Sequence, residues 1–542
     1  MKNLPTGIQL AEYRRLRRRR SALPIALLMT AALAAGCSSS DGYSVDAPKN
    51  EGPPMEEAGS PLPKDSVDKA LAKLDDLIND TMKKSGVPGL ATAVVHDGKI
   101  VYAKGFGVRN VEHPDQKVDA DTVFQVASVS KSVTSTVVAA EIAKGDVTWD
   151  TPVTDSMPDF QLADPWVSTH VTVGDGLSHR TGLPGAAGDK LEDLGYDRSY
   201  VLGHLRLHKL NPFRISYAYS NFGYTMGAEA VAKKAGKEWA DLAADDIYKP
   251  LGMNSTSSWF KDFEKRENRA TLHQKIDGKF VPGLVRDPDQ QDPAGGVSSS
   301  VNDMAKWLQL VLGDGTFEGK QIYKPEDFQP AATVQIVARQ PKNLESRAGF
   351  YGFGWNVLTG LTGRTGFNHS GAFVSGAATN VSVIPSAKVA IVTLTNAWPF
   401  GVPETINDSF TDLVQYGAIK LDYLSLLGQA MAPLLAPVGS LVGQKAPANA
   451  KAAKANADYL GTYGNDYYGP AAIREKDGGL ELAMGKGLEK THKLTHWDGD
   501  TFTFTLDTEN APPGSISKAT FEGNTLKLEY YDDEGMGTFT KE

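Results

Sequence analysis

Ser128-Val129-Ser130-Lys131 sets a hydroxyl and an amine three residues apart, which on a helix is one turn along a common face. That pairing suits nucleophilic catalysis. A serine oxygen attacks a carbonyl carbon once a neighbouring base takes its proton, and a lysine in a partly apolar site can lose its own proton near neutral pH and act as that base. Two further clusters lie downstream: Tyr219-Ser220-Asn221 begins 91 residues after Ser128, and His369-Ser370-Gly371 begins 148 residues after Asn221. Ser-x-x-Lys by itself says little, because Ser66/Lys69, Ser258/Lys261 and Ser515/Lys518 repeat it. Ser66 reads as the cap of an early helix, and Ser515 follows Pro512-Pro513-Gly514 in what reads as a loop. Only Ser128 opens an apolar helix with matching clusters further along the chain.

The elements that must position these groups follow from periodicity. Val133, Val137, Ala140 and Ile142 recur at helical spacing up to Gly145. Ser128 therefore stands at a helix N-terminus, where free N–H groups and the positive dipole end would face a developing oxyanion. Upstream, Val67, Leu71, Leu74, Ile78 and Met82 predict one amphipathic helix ending near Gly86. Residues 90–96 and 99–106 flank Asp97-Gly98, a strong hairpin signal. Residues 377–384 and 389–395 are β-rich runs around Pro385-Ser386. A helix followed by a hairpin predicts an α+β domain with an antiparallel sheet.

Taken in order, Ser-x-x-Lys, Tyr-x-Asn and His-x-Gly resemble the serine β-lactamase and penicillin-binding-protein superfamily, in its class C, DD-peptidase and esterase-like branch. Val171-Thr172-Val173 leading to Leu177-Ser178-His179-Arg180-Thr181-Gly182-Leu183-Pro184 is similar to the family's loop before its helical region. Tyr248-Lys249-Pro250-Leu251-Gly252-Met253 is similar to the phrase that ends that region. Pro293-Ala294-Gly295-Gly296-Val297-Ser298-Ser299 resembles the turn into a later helix carrying Met304 and Trp307.

The likeness covers roughly residues 66–420 and implies an antiparallel sheet flanked by helices, with an all-helical subdomain. It also implies acyl transfer with no cofactor. Ser128 would be the nucleophile and Lys131 or ionised Tyr219 the base. Asn221 would bond Lys131 and the substrate amide, and His369 would face the substrate. The N–H groups of Ser128 and Ala372, the second on the strand after Gly371, would hold the oxyanion. Ser300-Val301-Asn302 also fits Ser-x-Asn but reads as a helix cap. Arg364-Thr365-Gly366 resembles Lys-Thr-Gly, yet His369-Ser370-Gly371 is preferred because Ala372-Phe373 and Gly376 continue as this branch does. His179 reads as structural, and none of the ten histidines is read as a metal ligand.

The chain has 542 residues, 41% hydrophobic and 22% charged, with net charge −9. Lys2 and six arginines against Glu12 give the first 36 residues +6, so a chain cleaved there carries −15. A body that acidic repels phosphate backbones, which argues against nucleic acid as a partner. Residues 22–35 form an apolar run too short to span a membrane, ending in Leu33-Ala34-Ala35-Gly36-Cys37 before Ser38-Ser39-Ser40. This resembles a bacterial lipobox and implies a signal peptide over 1–36 and a lipid on Cys37, the only cysteine. It also implies an envelope location, with the outer membrane favoured by Ser38. Residues 37–64 read as a solvated tether.

The catalytic domain is expected over 65–424 and a linker over 425–457. From Asp458 to the end, short alternating segments with turns at Asp477-Gly478, Asp498-Gly499 and Gly523-Asn524 predict a small all-β, barrel-like domain. Three functions compete: a serine hydrolase of amides, peptides or esters, with D-amino-acid cell-wall peptides as candidates; a true β-lactamase; and a non-catalytic envelope binding protein. A small-molecule or peptide substrate is the expected partner. A largely neutral His369 offers a substrate carboxylate less than a fixed cation would, a deficit that Arg364 could repair.

Overall fold

The structure, a computed structural model, describes residues 61–542 apart from residue 361. The leader and Cys37 lie outside the described residues. The Asp97-Gly98 hairpin joins β1 (Gly89–His96) to β2 (Lys99–Gly107). Both turn residues are left-handed, with φ of 47° and 71°, the backbone that a two-residue turn between twisted strands requires. Six later strands complete the sheet: β3 (Ile336–Arg339), β4 (Gly349–Tyr351), β5 (Asn356–Thr359), β6 (Thr365–Phe373), β7 (Ala377–Ile384) and β8 (Val389–Thr395). Their order is β2-β1-β8-β7-β6-β5-β4-β3, antiparallel throughout.

Helices cover both faces. Ile78, Ile406 and Phe410 meet Leu90, Val94 and Ile391 on one side. Val133, Val137, Met304 and Trp307 meet Ala91, Ala93 and Val392 on the other. β7 and β8, rich in β-branched residues and buried along their whole length, occupy the spans expected for them. The helical region between the Ser128 helix and β3 includes Asn221–Ala235.

Three expectations need correction. The single helix over residues 67–82 is two, Ser66–Leu71 and Leu74–Ser85. A tightened turn, Lys73 N–H to Ala70 O at 3.1 Å, divides them, while Val67, Ala70, Leu74 and Ile78 stay buried in one cluster. The stretch read as a linker from 425 opens inside the helix Tyr423–Met431, which packs Leu427 against Gly401. Its remainder lies along the barrel, with Ile516 N–H on Val438 O at 3.0 Å and Lys451 N–H on Asp498 Oδ1 at 2.7 Å. Ser515 is in the strand Ala511–Glu522, not a loop. A register shift opposite, between Leu506 and Thr508, accommodates Pro512-Pro513-Gly514 as bulges do.

The C-terminal strands close into an eight-stranded antiparallel barrel. It docks on the helical region through buried polar groups. Tyr196 Oη donates to Tyr468 O at 2.9 Å, Tyr467 Oη accepts from Gly188 N–H at 3.2 Å, and Asn510 Nδ2 donates to Asp193 at 2.9 Å. One apolar cluster runs through both parts, holding Leu194 and Tyr196 together with Tyr467 and Tyr468.

Candidate active site

The chain enters the Ser128 helix through Ala127, whose φ of 48° is left-handed, a conformation that costs a residue with a Cβ roughly 1–2 kcal/mol. Ser128 precedes the helix Val129–Lys144 and makes no side-chain capping bond. The backbone closes the first turn itself, with Ser130 N–H on Ala127 O at 2.9 Å and Lys131 N–H on Ser128 O at 3.0 Å. The hydroxyl is left to Lys131. Lys131 Nζ donates to Ser128 Oγ at 3.1 Å, Asn221 Oδ1 at 2.8 Å and Ala294 O at 2.9 Å.

This helix is buried over most of its length, so its hydroxyls need internal partners. Ser132 Oγ donates to Gly354 O at 2.8 Å, Thr134 Oγ1 to Pro293 O at 2.7 Å, and Ser130 Oγ accepts from Val297 N–H at 3.0 Å. These bonds seat the 293–297 loop on the helix and aim the Ala294 carbonyl at Lys131.

Lys131 is fully buried. Burial lowers its amine to about 7, with the Asp189 carboxylate pulling the other way. Tyr219 is also buried, its phenol within hydrogen-bonding reach of Ser128, and burial raises it above the usual tyrosine range. The shifts are opposite in direction because burial favours the neutral form of each group. Lys131 Nζ sits 4.7 Å from the Tyr219 ring centroid.

Asn221 opens its helix behind Ser220, whose Oγ accepts from Gly223 N–H at 3.0 Å. Its Nδ2 donates to Asp189 Oδ2 at 3.2 Å. Asp189 begins the short helix Asp189–Asp193, and burial, then Glu192 and Asp193, push its carboxyl up to about 7. His179 Nδ1 accepts from Ser220 N–H at 3.2 Å, and its ring lies 4.3 Å from that of Tyr219. It holds the backbone of the Tyr-Ser-Asn turn.

On the opposite wall, a Cβ at Gly371 would stand 2.2 Å from Val126 O, 2.3 Å from Thr379 Oγ1 and 2.9 Å from Ser128 N. Only glycine lets β6 lie this close to the helix start. Ala372 pairs with Ala378 of β7. On the other edge β5 pairs with β6 only from Asn368 back towards its start, so residues 369–373 have no strand there. His369 Nδ1 faces Ser370 O at 2.7 Å and therefore donates, leaving Nε2 to accept from Tyr351 Oη at 2.9 Å. Burial, then Lys131, lower His369 to about 3, so the ring is neutral with both nitrogens partnered.

Other candidates lie elsewhere. Arg364 Nη1 donates to Ser386 Oγ at 2.7 Å, seven residues and roughly 23 Å of extended strand from Gly371. Ser300 caps its helix by accepting from Asp303 N–H at 3.3 Å. Ser66 lies inside its helix behind Asp65 and caps nothing, which corrects its reading as a cap. Ser258 Oγ is on Tyr248 Oη at 2.8 Å, and Lys261 lies over Trp259. Two histidine pairs stand four residues apart, His204/His208 and His492/His496, but His208 is held by Glu534 and Tyr467. Among the described residues no group of three or more His, Cys, Asp or Glu is arranged to hold a metal. Asp189 and Tyr351 escaped sequence reasoning, because no spacing marks them.

Comparison with known proteins places this geometry. The Beta-lactamase family model matches residues 74–415, and a model of a domain of unknown function, DUF3471, matches 445–531. An unguisins hydrolase of Aspergillus campestris is 26% identical over 354 residues, 63% of this chain and 63% of that protein. A second from Aspergillus violaceofuscus is matched over 60% of its length, so the chain spans about three fifths of these two relatives. Penicillin-binding protein 4 of Amycolatopsis lactamdurans is 28% identical over 343 residues, 60% of this chain and 84% of that one. The octameric penicillin-binding-protein homologue of Pyrococcus abyssi superposes with TM-score 0.57 at 21% identity, covering 85% of this chain and 98% of the other. The class C β-lactamase of Rhodobacter sphaeroides gives 0.51 at 21%, covering 64% and 98%. With the helix that carries Ser128 and Lys131, the Tyr-x-Asn turn and the glycine-bearing strand all inside residues 74–415, the chain belongs to the β-lactamase family.

Proposed function

We propose that this chain is a serine hydrolase that forms an acyl-enzyme at Ser128 on an amide, peptide or ester. One observation carries the reading: a wholly buried lysine, its amine lowered to about 7, bonded to a serine hydroxyl at 3.1 Å that no helix cap uses. Neutral Lys131 accepts the Oγ proton as Oγ attacks the carbonyl carbon. The carbonyl oxygen becomes an oxyanion held by the N–H groups of Ser128 and Ala372. Collapse breaks the bond to the leaving amine or alcohol, which takes a proton from Tyr219, and Tyr219 is reprotonated through Lys131. Water then attacks the ester at Ser128 and frees the acid. The raised phenol favours Lys131 over Tyr219 as the acylation base.

A peptide-like substrate agrees with relatives named an unguisins hydrolase and a D-alanyl-D-alanine carboxypeptidase/endopeptidase, the latter AmpH of Escherichia coli. The β-lactamase reading loses the support Arg364 offered, since that guanidinium is bonded at the far end of β6. The test is intact-protein mass after exposure to a fluorophosphonate, an activated ester and a penicillin, followed by peptide mapping. The expected adduct is on the peptide containing Ser128 and is missing from Ser128→Ala. An adduct on Ser66, Ser258 or Ser515 would overturn the assignment.

A further inference from the structure

The turn that follows Ala372 is held by the other domain. Val374 and Ser375 connect β6 to β7, and both are buried. Their N–H groups lie beyond the β6–β7 pairing, which ends at Phe373 opposite Ala377. Unpartnered buried donors are costly. Here both are taken by one carboxylate: Glu509 Oε1 accepts from Val374 N–H at 2.6 Å, and Oε2 accepts from Ser375 N–H at 3.1 Å. Glu509 and Asn510 are the two-residue turn between the barrel strands Thr501–Thr508 and Ala511–Glu522. The tip of such a hairpin is ordinarily solvated; this one is partly buried against the catalytic domain.

The next residue reaches the opposite side of the cleft. Asn510 Nδ2 donates to Asp193 at 2.9 Å, the last residue of the short helix whose first residue, Asp189, bonds Asn221. One barrel turn thus touches the oxyanion-side strand and the helix behind the Lys131–Asn221 pair. Between them, Arg286 lies 5.3 Å from the Phe373 ring centroid and bonds Glu192 at 2.7 Å.

We infer that the barrel is a working part of the active site, with Glu509 a positioning residue that fixes the turn after Ala372 and Asn510 tying that turn to the helix Asp189–Asp193. The inference rests on the hydrolase reading above. An oxyanion donor serves the transition state only if its N–H is aimed before the reaction begins. The carboxylate grips both N–H groups two and three residues downstream, with charge-assisted bonds, so it limits how far Ala372 can swing.

The experiment uses the full-length chain and an activated ester, with Glu509→Gln, Glu509→Ala and, as a docking control, Lys486→Ala. Lys486 contacts Asp197 across the same interface, away from the turn, at 3.1 Å. Loss of aim at one oxyanion donor predicts a fall in kcat of about tenfold for Glu509→Ala. KM should change less than about threefold, and fluorophosphonate labelling of Ser128 should slow in parallel. Glu509→Gln keeps one acceptor and should fall between wild type and Glu509→Ala. The segment 369–376 should exchange its amide hydrogens faster in both, and Lys486→Ala should match wild type. Wild-type kcat in both Glu509 variants, or an equal loss in Lys486→Ala, overturns the inference while leaving the hydrolase reading standing. Wild-type protein that takes no label at Ser128 overturns both.

Discussion

Asp189→Asn offers the sharpest test of how the catalytic lysine is tuned. Asparagine has the shape of aspartate and can still accept from Asn221 Nδ2, so the chain of contacts from Asp189 through Asn221 to Lys131 survives while the charge goes. In the native site that carboxylate raises Lys131 against the larger effect of burial. Removing it lowers the lysine further, so the amine is free at lower pH and the acid limb of the pH–rate profile moves down. The two charges are separated by one amide, spanned by bonds of 2.8 and 3.2 Å. Taking roughly 7 Å and an effective dielectric of about 20, Coulomb's law gives about 2.4 kcal/mol, or about 1.7 pH units. Asp189 itself titrates near 7 and is only partly ionised over the same range, so about 1 unit is the expected displacement. The assay is kcat/KM for an activated ester between pH 5 and 9, which reports the free enzyme. Near pH 6.5 the variant should outrun wild type by about threefold; the gap should narrow by pH 5.5, where Asp189 is itself protonated in wild type, and the alkaline plateau should change less than about threefold. A limb that stays put or moves to higher pH refutes the electrostatic argument.

Ser128→Ala should abolish labelling and turnover, Lys131→Ala should cost nearly as much, and the double variant should be no worse than Ser128→Ala, read as kcat/KM on one ester. Tyr219→Phe should lose less than Lys131→Ala, because the phenol is the weaker candidate for base. Gly371→Ala should lower the melting midpoint by several degrees and cut labelling, since its methyl meets Val126 O at 2.2 Å and such overpacking costs about 1–3 kcal/mol. Cys37→Ser should move the protein from the membrane to the soluble fraction, and unchanged fractionation would end the lipid-anchor proposal.

What could be read from the sequence was what local physics decides. Asp-Gly requires left-handed backbone at two positions, so the β1–β2 hairpin was placed to within a residue of each end. Residues 377–384 and 389–395 were legible from their β-branched residues, with Pro385-Ser386 marking the turn between them. The Ser128 helix was legible from its valines and from Gly145, which ends it with φ 88°. The Lys73 break was not, since a turn tightened by one hydrogen bond leaves the apolar stripe almost in phase. Pro512-Pro513-Gly514 looked like a loop because the bulge that admits it is set by the opposite strand. Asp189, Tyr351 and Glu509 carry no motif. Each matters through a partner 18 to 135 residues away, Asn221, His369 or Val374, and no spacing rule reaches that far.

Burial does two jobs at this site, and they cannot be separated. Enclosing the helix Val129–Lys144 on all sides forces its hydroxyls to bond the 293–297 loop and Gly354, which holds Ser128 and Lys131 in fixed relation. The same enclosure disfavours charge, lowering Lys131 and raising Tyr219. At pH 7 the lysine can then accept a proton and the phenol can give one, the two roles an acyl transfer assigns to separate groups. An exposed Ser-x-x-Lys has neither advantage: a solvated lysine keeps its proton at neutral pH, and a serine at a helix start bonds its own backbone. Lys69 and Lys261 are exposed and Lys518 is half-buried, and Ser515 Oγ is taken up by Pro512 O and Val438 N–H. Of the four copies, only Ser128-x-x-Lys131 has its lysine fully enclosed, with the amine lowered to about 7 against the serine hydroxyl, so it is enclosure of the amine that separates this copy from the other three.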